Sequence, residues 1–268
     1  MWEGDVWVAV RAARAGADVV AAGFHSSQDT ELKGEVDPVT VIDRDAETAI
    51  RQSIAAHFPN DSVLGEEAGG PAWDQGRVWI IDPLDGTVNF VNGIPHVAVS
   101  VGLWQDGRPQ VGVVTDVARD EEFVAVRGEG ASLNGEPMRV SETADLENSL
   151  VATGFPYDRR RQAAAYLRVV EAVMMRSRGT RRIGAAALDL AWVACGRFDA
   201  YWEHGGQHGV KPWDLAAGVL LVTEAGGVVT DDEGMPDRLE TRAVIASNGK
   251  VHEELREIVA STMPEHLR

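Results

Sequence analysis

Cysteine is almost absent from this chain of 268 residues, which contains only Cys195. A single cysteine cannot form an intrachain disulfide and cannot build a cysteine-based zinc site. Cys195 follows the apolar run LAWVA at residues 190–194, so we expect a buried, unreactive thiol rather than a catalytic nucleophile.

Long apolar runs are also missing, since none approaches the ~20 residues that span a bilayer. The N-terminus opens with Trp2, Glu3 and Asp5 instead of a basic stretch and an apolar core, so no secretory signal is visible. We therefore expect a cytoplasmic protein.

Basic residues are scarce relative to acidic ones. The 25 Lys and Arg stand against 42 Asp and Glu, which gives a formal charge of −17. Such a balance repels phosphate backbones and anionic lipids, so we expect neither nucleic acid nor a membrane as a partner. Small phosphorylated substrates remain compatible with this charge if metal cations mediate the contact.

The residues that are present predict a globular protein. Hydrophobic residues make up 44% and charged residues 25%, which is ordinary for a soluble chain. At ~100–200 residues per domain, the length allows one large domain or two fused halves. Apolar spacing predicts helices at about residues 6–24 and 43–58, and apolar runs or alternation predict strands at 78–81, 97–103, 111–113 and 123–126.

The pattern changes after about residue 147. Strands are predicted at 150–153, 199–202 and 244–246, and helices at 159–175, 184–195, 215–224 and 250–261. The first half therefore reads as α+β with an antiparallel sheet, and the second as α/β. We predict two packed subdomains, residues 1–147 and residues 148–268.

Acidic residues that directly follow an apolar strand are the first candidates for chemistry. Asp82 and Asp85 come after the run 78–81, and burial of unpaired carboxylates costs several kcal/mol per ion. They could bind a cation or, in an ordinary turn, accept backbone N–H groups. Gly86 and Thr87 then offer N–H groups at a predicted helix start, which suits a phosphate.

Three further segments are ambiguous when each is taken alone. Glu66 and Glu67 are adjacent like charges, which ordinarily remain in solvent. Asp214, after Trp213, is ordinarily a helix N-cap. The acidic loop from Lys33 towards the second helix is ordinarily a turn.

Taken together, these segments form a specific pattern. Lys33 is followed by DPVTxxD at 37–43, GEE at 65–67, WIIDPLDGTxNF at 79–90, GAA at 184–186, PWDxAAG at 212–218 and EAGG at 224–227. The pattern resembles the inositol monophosphatase family of magnesium-dependent, lithium-sensitive phosphatases, and it extends over about residues 9–255. The resemblance implies a layered αβαβα sandwich of the sugar-phosphatase type.

The resemblance also implies a set of metal ligands. Glu66, Asp82 and the carbonyl of Leu84 would hold a first Mg²⁺. Asp82, Asp85 and Asp214 would hold a second, with Asp82 bridging the two. Two to three Mg²⁺ per active site are implied, and Mn²⁺ could replace them, because all-oxygen ligands suit hard cations.

Catalytic roles follow from the same resemblance. Glu66, Thr87 and Asp43 would activate the attacking water. Lys33 and Asp43 would lie on a mobile loop near the entrance, with Glu67 as a neighbouring outer carboxylate. No covalent intermediate is needed, which agrees with the lack of an activated Cys or Ser nucleophile.

The implied substrate-binding residues are Asp85, Gly86, Thr87, Gly184, Ala185, Ala186, Glu203 and Asp214. Backbone N–H groups of Gly86 and Thr87 would stabilise the phosphate oxygens. The segment 184–186 and Glu203 would contact the hydroxyls of a sugar or polyol. Ala185 stands where a hydroxyl-bearing residue is often found, so one polar contact is expected to be missing.

The stretch HGGQHGVK at residues 204–211 departs from the family pattern, because it is a few residues longer than the usual connection. Its glycines deny His204 and His208 a stable helix, which argues against a zinc pair. A substrate contact from His208 or Lys211 is a hypothesis that this loop suggests.

Three functions therefore compete. The pattern favours hydrolysis of inositol monophosphate. A second hypothesis keeps the chemistry but changes the substrate to fructose 1,6-bisphosphate, histidinol phosphate or a nucleotide. A third is a non-enzymatic regulatory family member, against which the complete ligand set counts. Family analogy also implies a homodimer.

Overall fold

The computed structural model describes residues 3–24, 30–32, 38–156, 159–205, 210–236, 239 and 242–264. The helices are α1 (Glu3–Gly23), α2 (Val41–Ala55), α3 (Thr87–Val91), α4 (Arg159–Met174), α5 (Ala186–Ala194), α6 (Pro212–Leu215), α7 (Gly218–Glu224) and α8 (His252–Thr262). The strands are β1 (Thr30–Leu32), β2 (Pro38–Thr40), β3 (Ser62–Gly65), β4 (Arg77–Asp85), β5 (Ala98–Gln105), β6 (Arg108–Asp116), β7 (Glu121–Val126), β8 (Gly130–Leu133), β9 (Glu136–Pro137), β10 (Leu150–Thr153), β11 (Gly179–Arg181), β12 (Ala200–His204), β13 (Val228–Thr230) and β14 (Ala243–Ser247).

A seven-stranded sheet dominates the first half, in the order β3-β4-β5-β6-β7-β8-β9. β3 and β4 are parallel, and the other neighbours are antiparallel. Alternating side chains of β4 face opposite sides: Trp79 and Ile81 pack with α1 and α2, whereas Val78 and Ile80 pack with α5 and α7. Both faces of the sheet are therefore covered, which explains the continuous apolar run in β4.

A five-stranded sheet forms the second half, in the order β11-β10-β12-β14-β13. β10 runs parallel to β11 and β12, and β14 runs antiparallel to β12 and β13. Trp202 and Ile245 on one face pack against α4 and α8, while Tyr201 and Val244 on the other face join the α5 and α7 core. The layers run helix, sheet, helix, sheet, helix, so the predicted αβαβα sandwich is confirmed.

Most predicted elements are present, with one correction and several additions. The helix expected at 215–224 is wrong as a single element, because α6 ends at Leu215 and α7 begins at Gly218. The short strands β3, β11 and β13 had no sequence prediction. The division at residue 147 stays a prediction, since one apolar core contains residues from both sides of it. Among the described residues, no helix is both long and apolar enough to cross a membrane.

Two glycines bring the middle helices against the seven-stranded sheet. A Cβ atom on Gly102 would lie 2.9 Å from the backbone of Ala216, and one on Gly112 would lie 2.7 Å from the carbonyl oxygen of Ala217. Trp104 Nε1 also donates to the Ala216 carbonyl at 3.0 Å. The segment after Asp214 is thereby docked directly on β5 and β6.

Candidate active site

The buried end of β4 carries two carboxylates. Its pairing with β5 shifts between Asp82 and Asp85, where Pro83 has no N–H to give to the ladder. Asp82 is 1% exposed and accepts the Leu84 N–H at 3.0 Å. The irregularity places both carboxylates at the wall of one cleft.

Gly86 makes the turn from β4 into α3. It has φ 92° and ψ 38°, a left-handed conformation that glycine adopts without the strain of a side chain. A Cβ there would also lie 2.9 Å from the carbonyl oxygen of His96. Thr87 follows as the first residue of α3, and both Gly86 and Thr87 line the cleft.

Asp43 lies behind Thr87, in the first turn of α2. Its Oδ1 accepts the Thr87 hydroxyl at 3.0 Å, and its Oδ2 accepts the N–H and hydroxyl of Thr40 at 2.8 and 2.6 Å. The expectation of Asp43 on a mobile loop is wrong, because this capping arrangement buries it in a helix. Lys33 lies outside the described residues.

Glu66 reaches the cleft because β3 and β4 are parallel neighbours. Gly65 pairs with Ile81, and the Glu66 N–H donates to the Ile81 carbonyl at 3.3 Å. Glu66 thus lies beside Asp82 at the same end of the sheet. Glu67 does not line the cleft, and its backbone N–H donates to Glu47, a residue that the sequence pattern missed.

The N-terminus of α5 forms the opposite wall and binds Asp85. The Asp85 carboxylate accepts the N–H groups of Ala186, Ala187 and Leu188 at 3.1, 2.7 and 3.4 Å. Asn89 of α3 donates to the carbonyls of Ile183 and His96 at 2.9 and 2.8 Å. These bonds fix the segment 184–186 relative to the start of α3.

The last predicted residues come from β12 and α6. The Tyr201 hydroxyl donates to Glu203 across the cleft wall. Asp214 lies inside α6 and accepts the Lys211 N–H at 3.3 Å. The N-cap of this helix is Lys211, so Asp214 is not the N-cap itself but the third helical residue, which bonds back to it. Lys211 lines the cleft, and a substrate contact from it stays a prediction, whereas His208 lies outside the described residues.

The structure brings most predicted site residues to this single cleft, lined by Glu66, Asp82, Leu84, Asp85, Gly86, Thr87, Gly184, Ala185, Ala186, Glu203 and Asp214. Sequence reasoning missed Asp189, Arg182 and Tyr201, which also line it. A carboxylate within the otherwise apolar helix α5 was the available signal for Asp189, since such a residue is rarely buried without a partner.

Four carboxylates of the cleft, Glu66, Asp82, Asp85 and Asp214, are close enough for mutual repulsion. Burial raises the pKa of Asp82 well above its usual range, and repulsion from Glu66, Asp85 and Asp214 raises it further. Burial and repulsion from Asp85 and Glu66 do the same to the pKa of Asp214. Burial raises the pKa of Asp85 to about 7, with a contribution from Asp189.

A second buried polar cluster lies at the cleft wall formed by Asp189, Tyr201 and Glu203. Burial and repulsion from Glu203 raise the pKa of Asp189, and burial raises the pKa of Glu203. His96 Nε2 lies 3.1 Å from Asp189 Oδ1, and burial lowers the pKa of His96 to about 4. Arg182 partly offsets the charge of both carboxylates.

This donor set fits hard divalent cations. It offers only oxygen atoms, and its crowded negative charge in a buried place calls for a positive partner. Within the described residues, no three side chains of His, Cys, Asp or Glu are arranged to hold a metal ion as they stand. Asp82, Asp85 and Asp214 each accept a backbone N–H group, and a carboxylate keeps further lone pairs that a cation could use.

Comparison with known proteins shows the family to which this chain is similar. The model of the inositol monophosphatase family matches residues 3–267. The Nus factor SuhB of Escherichia coli (strain K12) is 42% identical over 247 residues, covering 91% of each chain.

Solved structures agree in fold. The extragenic suppressor protein suhB from Bartonella henselae has a TM-score of 0.90 at 38% identity, covering 96% of this chain and 98% of that one. The inositol monophosphatase from Anabaena (Nostoc) sp. PCC 7120 has a TM-score of 0.85 at 38% identity, covering 98% of both chains. The layered architecture is therefore shared over nearly the whole length.

Proposed function

Because the chain belongs to the inositol monophosphatase family, we propose that it is a Mg²⁺-dependent phosphomonoesterase that hydrolyses inositol monophosphate to inositol and phosphate. The observation that carries this proposal is the convergence of Glu66, Asp82, Asp85 and Asp214 with Gly86 and Thr87, at the start of α3, on one cleft. Four carboxylates repel a bare phosphate, so their presence beside a phosphate cradle favours a metal-dependent reaction.

The residues that would hold the cations are those of the first-half sheet and α6. Glu66, Asp82 and the Leu84 carbonyl would hold one ion, and Asp82, Asp85 and Asp214 a second. When bound, such ions supply charge neutralisation for phosphate and leaving group and make a water molecule more acidic.

Thr87 and Asp43 would orient the attacking water. The Thr87 hydroxyl has one proton, which it can donate to Asp43 Oδ1 at 3.0 Å or to the Leu84 carbonyl at 3.2 Å. Its lone pairs then remain available to accept a hydrogen bond from water. Asp43 is held rigidly by Thr40, so this acceptor chain has a fixed direction, and Glu66 is the nearby carboxylate to receive the water proton.

The substrate side would recognise a polyol. Glu203 would offer a carboxylate acceptor to hydroxyls at the cleft wall, beside the segment 184–186. The backbone N–H groups of Gly86 and Thr87 would stabilise the equatorial phosphate oxygens as negative charge shifts during in-line attack.

A non-enzymatic regulatory function is the second candidate. It is favoured by the name Nus factor SuhB that close relatives carry. The retained carboxylates favour the enzyme, because a protein released from catalysis gains stability by losing such repulsive groups.

Phosphate release separates these candidates. We expect hydrolysis of inositol monophosphate with Mg²⁺ and none after chelation, and inhibition by millimolar Li⁺. The panel should include fructose 1,6-bisphosphate, histidinol phosphate and a nucleoside monophosphate, with the Asp82→Asn variant as the inactive control. A faster reaction with another member of the panel would identify that compound, instead of inositol monophosphate, as the preferred substrate. No turnover of any member would favour the regulatory candidate.

A further inference from the structure

A carboxylate outside the cleft holds the turn that carries Glu66. Glu47 lies on α2, one helical turn after Asp43, and its side chain is 3% exposed. Its Oε2 accepts the Glu67 N–H at 2.8 Å, and its Oε1 accepts the Ala68 N–H at 3.1 Å. Glu47 therefore binds the backbone of the two residues that directly follow Glu66.

Arg51 extends this attachment to both ends of the turn. Its Nε donates to Glu47 Oε1 at 2.7 Å. Its Nη1 donates to the Val63 carbonyl at 3.1 Å, and its Nη2 donates to the Gly69 carbonyl at 2.7 Å. The pair thus connects α2 to the strand before Glu66 and to the chain after it.

The turn leaves no space between Glu47 and the backbone. A Cβ atom on Gly65 would lie 2.5 Å from Glu47 Oε1. Gly65 and Gly69 close the turn by exchanging N–H···O bonds of 3.1 and 3.0 Å. Only glycine at position 65 allows the Glu47 carboxylate to lie this close to the backbone of the turn.

We propose that Glu47 is a positioning residue for the metal site. By holding the amides after Glu66, it fixes that side chain in place before a cation binds. The same helix holds Asp43, which orients Thr87, so α2 sets the distance between the metal side and the water side of the cleft. This inference rests on the proposed metal-dependent function, and a fixed ligand saves the ordering cost that a mobile one adds to binding.

Mn²⁺ binding to the substrate-free protein tests the proposal. The Glu47→Gln variant keeps the shape but replaces one acceptor oxygen with an NH₂ group that faces donors. By isothermal titration calorimetry, we expect its Kd for Mn²⁺ to rise about 10–100-fold. Asp45→Asn is the matched control, because it removes the same charge from an exposed position of the same helix, and we expect its Kd to stay within about twofold of the wild type.

Two further readouts separate positioning from a loss of charge. Hydrogen exchange at the Glu67 and Ala68 amides should quicken in Glu47→Gln, and a purely electrostatic effect would leave it unchanged. In turnover assays of Glu47→Gln, the Mg²⁺ concentration that gives half the maximal rate should rise. The KM for inositol monophosphate at saturating Mg²⁺ should stay unchanged. If Glu47→Gln fails to fold, Arg51→Lys should still bind Mn²⁺ more weakly than Asp45→Asn.

An unchanged Mn²⁺ affinity, unchanged amide exchange, or an equal loss in Asp45→Asn would overturn the proposal. The proposed function and the positioning role of Glu47 can be refuted independently of each other. A protein that hydrolyses no phosphoester but loses Mn²⁺ affinity in Glu47→Gln would refute the proposed function and support the role of Glu47.

Discussion

At the scale of single residues, Asp82 shows a conflict between stability and chemistry. Its carboxylate is buried among Glu66, Asp85 and Asp214, and a raised pKa in the folded state means that the charged form disfavours folding near neutral pH. The side chain that would bridge two cations therefore costs folding free energy when no cation is bound.

Asn substitutions test this conflict. We expect Asp82→Asn and Asp214→Asn to lower kcat by at least about 100-fold. In chelator, the unfolding free energy of each variant should equal or exceed that of the wild type, because a repelling charge is gone. Urea denaturation with and without Mg²⁺ measures this: stabilisation by Mg²⁺ should be confined to the wild type. Retained activity in either variant would contradict the ligand assignment.

His252 is a separate titratable residue that does not line the cleft. The Thr230 hydroxyl donates to the Asp231 carbonyl, so it accepts from His252 Nε2 at 3.0 Å, and Ser247 Oγ lies 3.1 Å from Nδ1. These partners suit a neutral imidazole. Burial lowers the pKa of His252 below its usual value.

A pH dependence of stability follows from His252. Below about pH 6.5, His252 becomes protonated in the unfolded chain but stays neutral in the folded protein. The unfolding free energy therefore decreases by up to about 1.4 kcal/mol for each unit by which the pH is lowered. Stability from this group is present at pH 7 and lost towards pH 5. Denaturant unfolding at both pH values should show a smaller loss in His252→Gln than in the wild type. Equal losses would show that another group titrates.

At the scale of elements, the turn from β4 into α3 has little tolerance. Gly86 combines a left-handed backbone with a close approach to the His96 carbonyl. An added Cβ would strain the left-handed backbone and collide with the His96 carbonyl. The start of α3 at Thr87 would then be displaced.

The Gly86→Ala variant measures that intolerance. We expect a loss of about 1–3 kcal/mol of unfolding free energy and a fall in kcat that exceeds any change in KM. Gly226→Ala is a fair control, since Gly226 also has a positive φ, at 91°, but nothing within 4 Å of its Cβ position. Equal kcat values in the two variants would show that strain alone matters at Gly86.

Sequence reasoning predicted elements where the periodicity is long. The helices α1 and α2 and the apolar core of β4 have the patterns expected of amphipathic helices and a buried strand. Strands β3, β11 and β13 have only three or four residues, too few for a period to be visible. The cleft carboxylates Glu66, Asp82, Asp85 and Asp214 could be found through the family pattern. Glu47 could not, because its partners are backbone N–H groups about 20 residues away, which no local pattern reveals.

At the scale of the whole molecule, the cleft joins two sheets through a shared helical layer. Asp82 and Asp85 come from β4, whereas Asp214 comes from α6, which reaches the first sheet only through packing. Gly102, Gly112 and Trp104 provide that packing against Ala216 and Ala217. The position of the last carboxylate is therefore set by contact between layers.

The Gly102→Ala variant tests that contact. A Cβ 2.9 Å from the Ala216 backbone must push α6 away, so we expect a loss of about 1–3 kcal/mol of unfolding free energy and weaker Mn²⁺ binding. Gly4→Ala, on α1 with nothing within 4 Å, should instead stabilise the fold slightly. Calorimetric Mn²⁺ titration distinguishes them, and normal Mn²⁺ affinity in Gly102→Ala would show that α6 keeps its place without this contact.

The seam between Gly102, Gly112 and the Ala216–Ala217 backbone also restricts how such a chain can be recombined. A chimera joined near residue 147 with half of a relative would inherit its sheet surface from one parent and its α6–α7 segment from the other. A larger side chain at the two glycine positions of the parent that supplies the first half would keep the halves apart. A functional chimera therefore requires that Gly102 and Gly112 match the Ala216–Ala217 segment in size, even when both parents have the same fold.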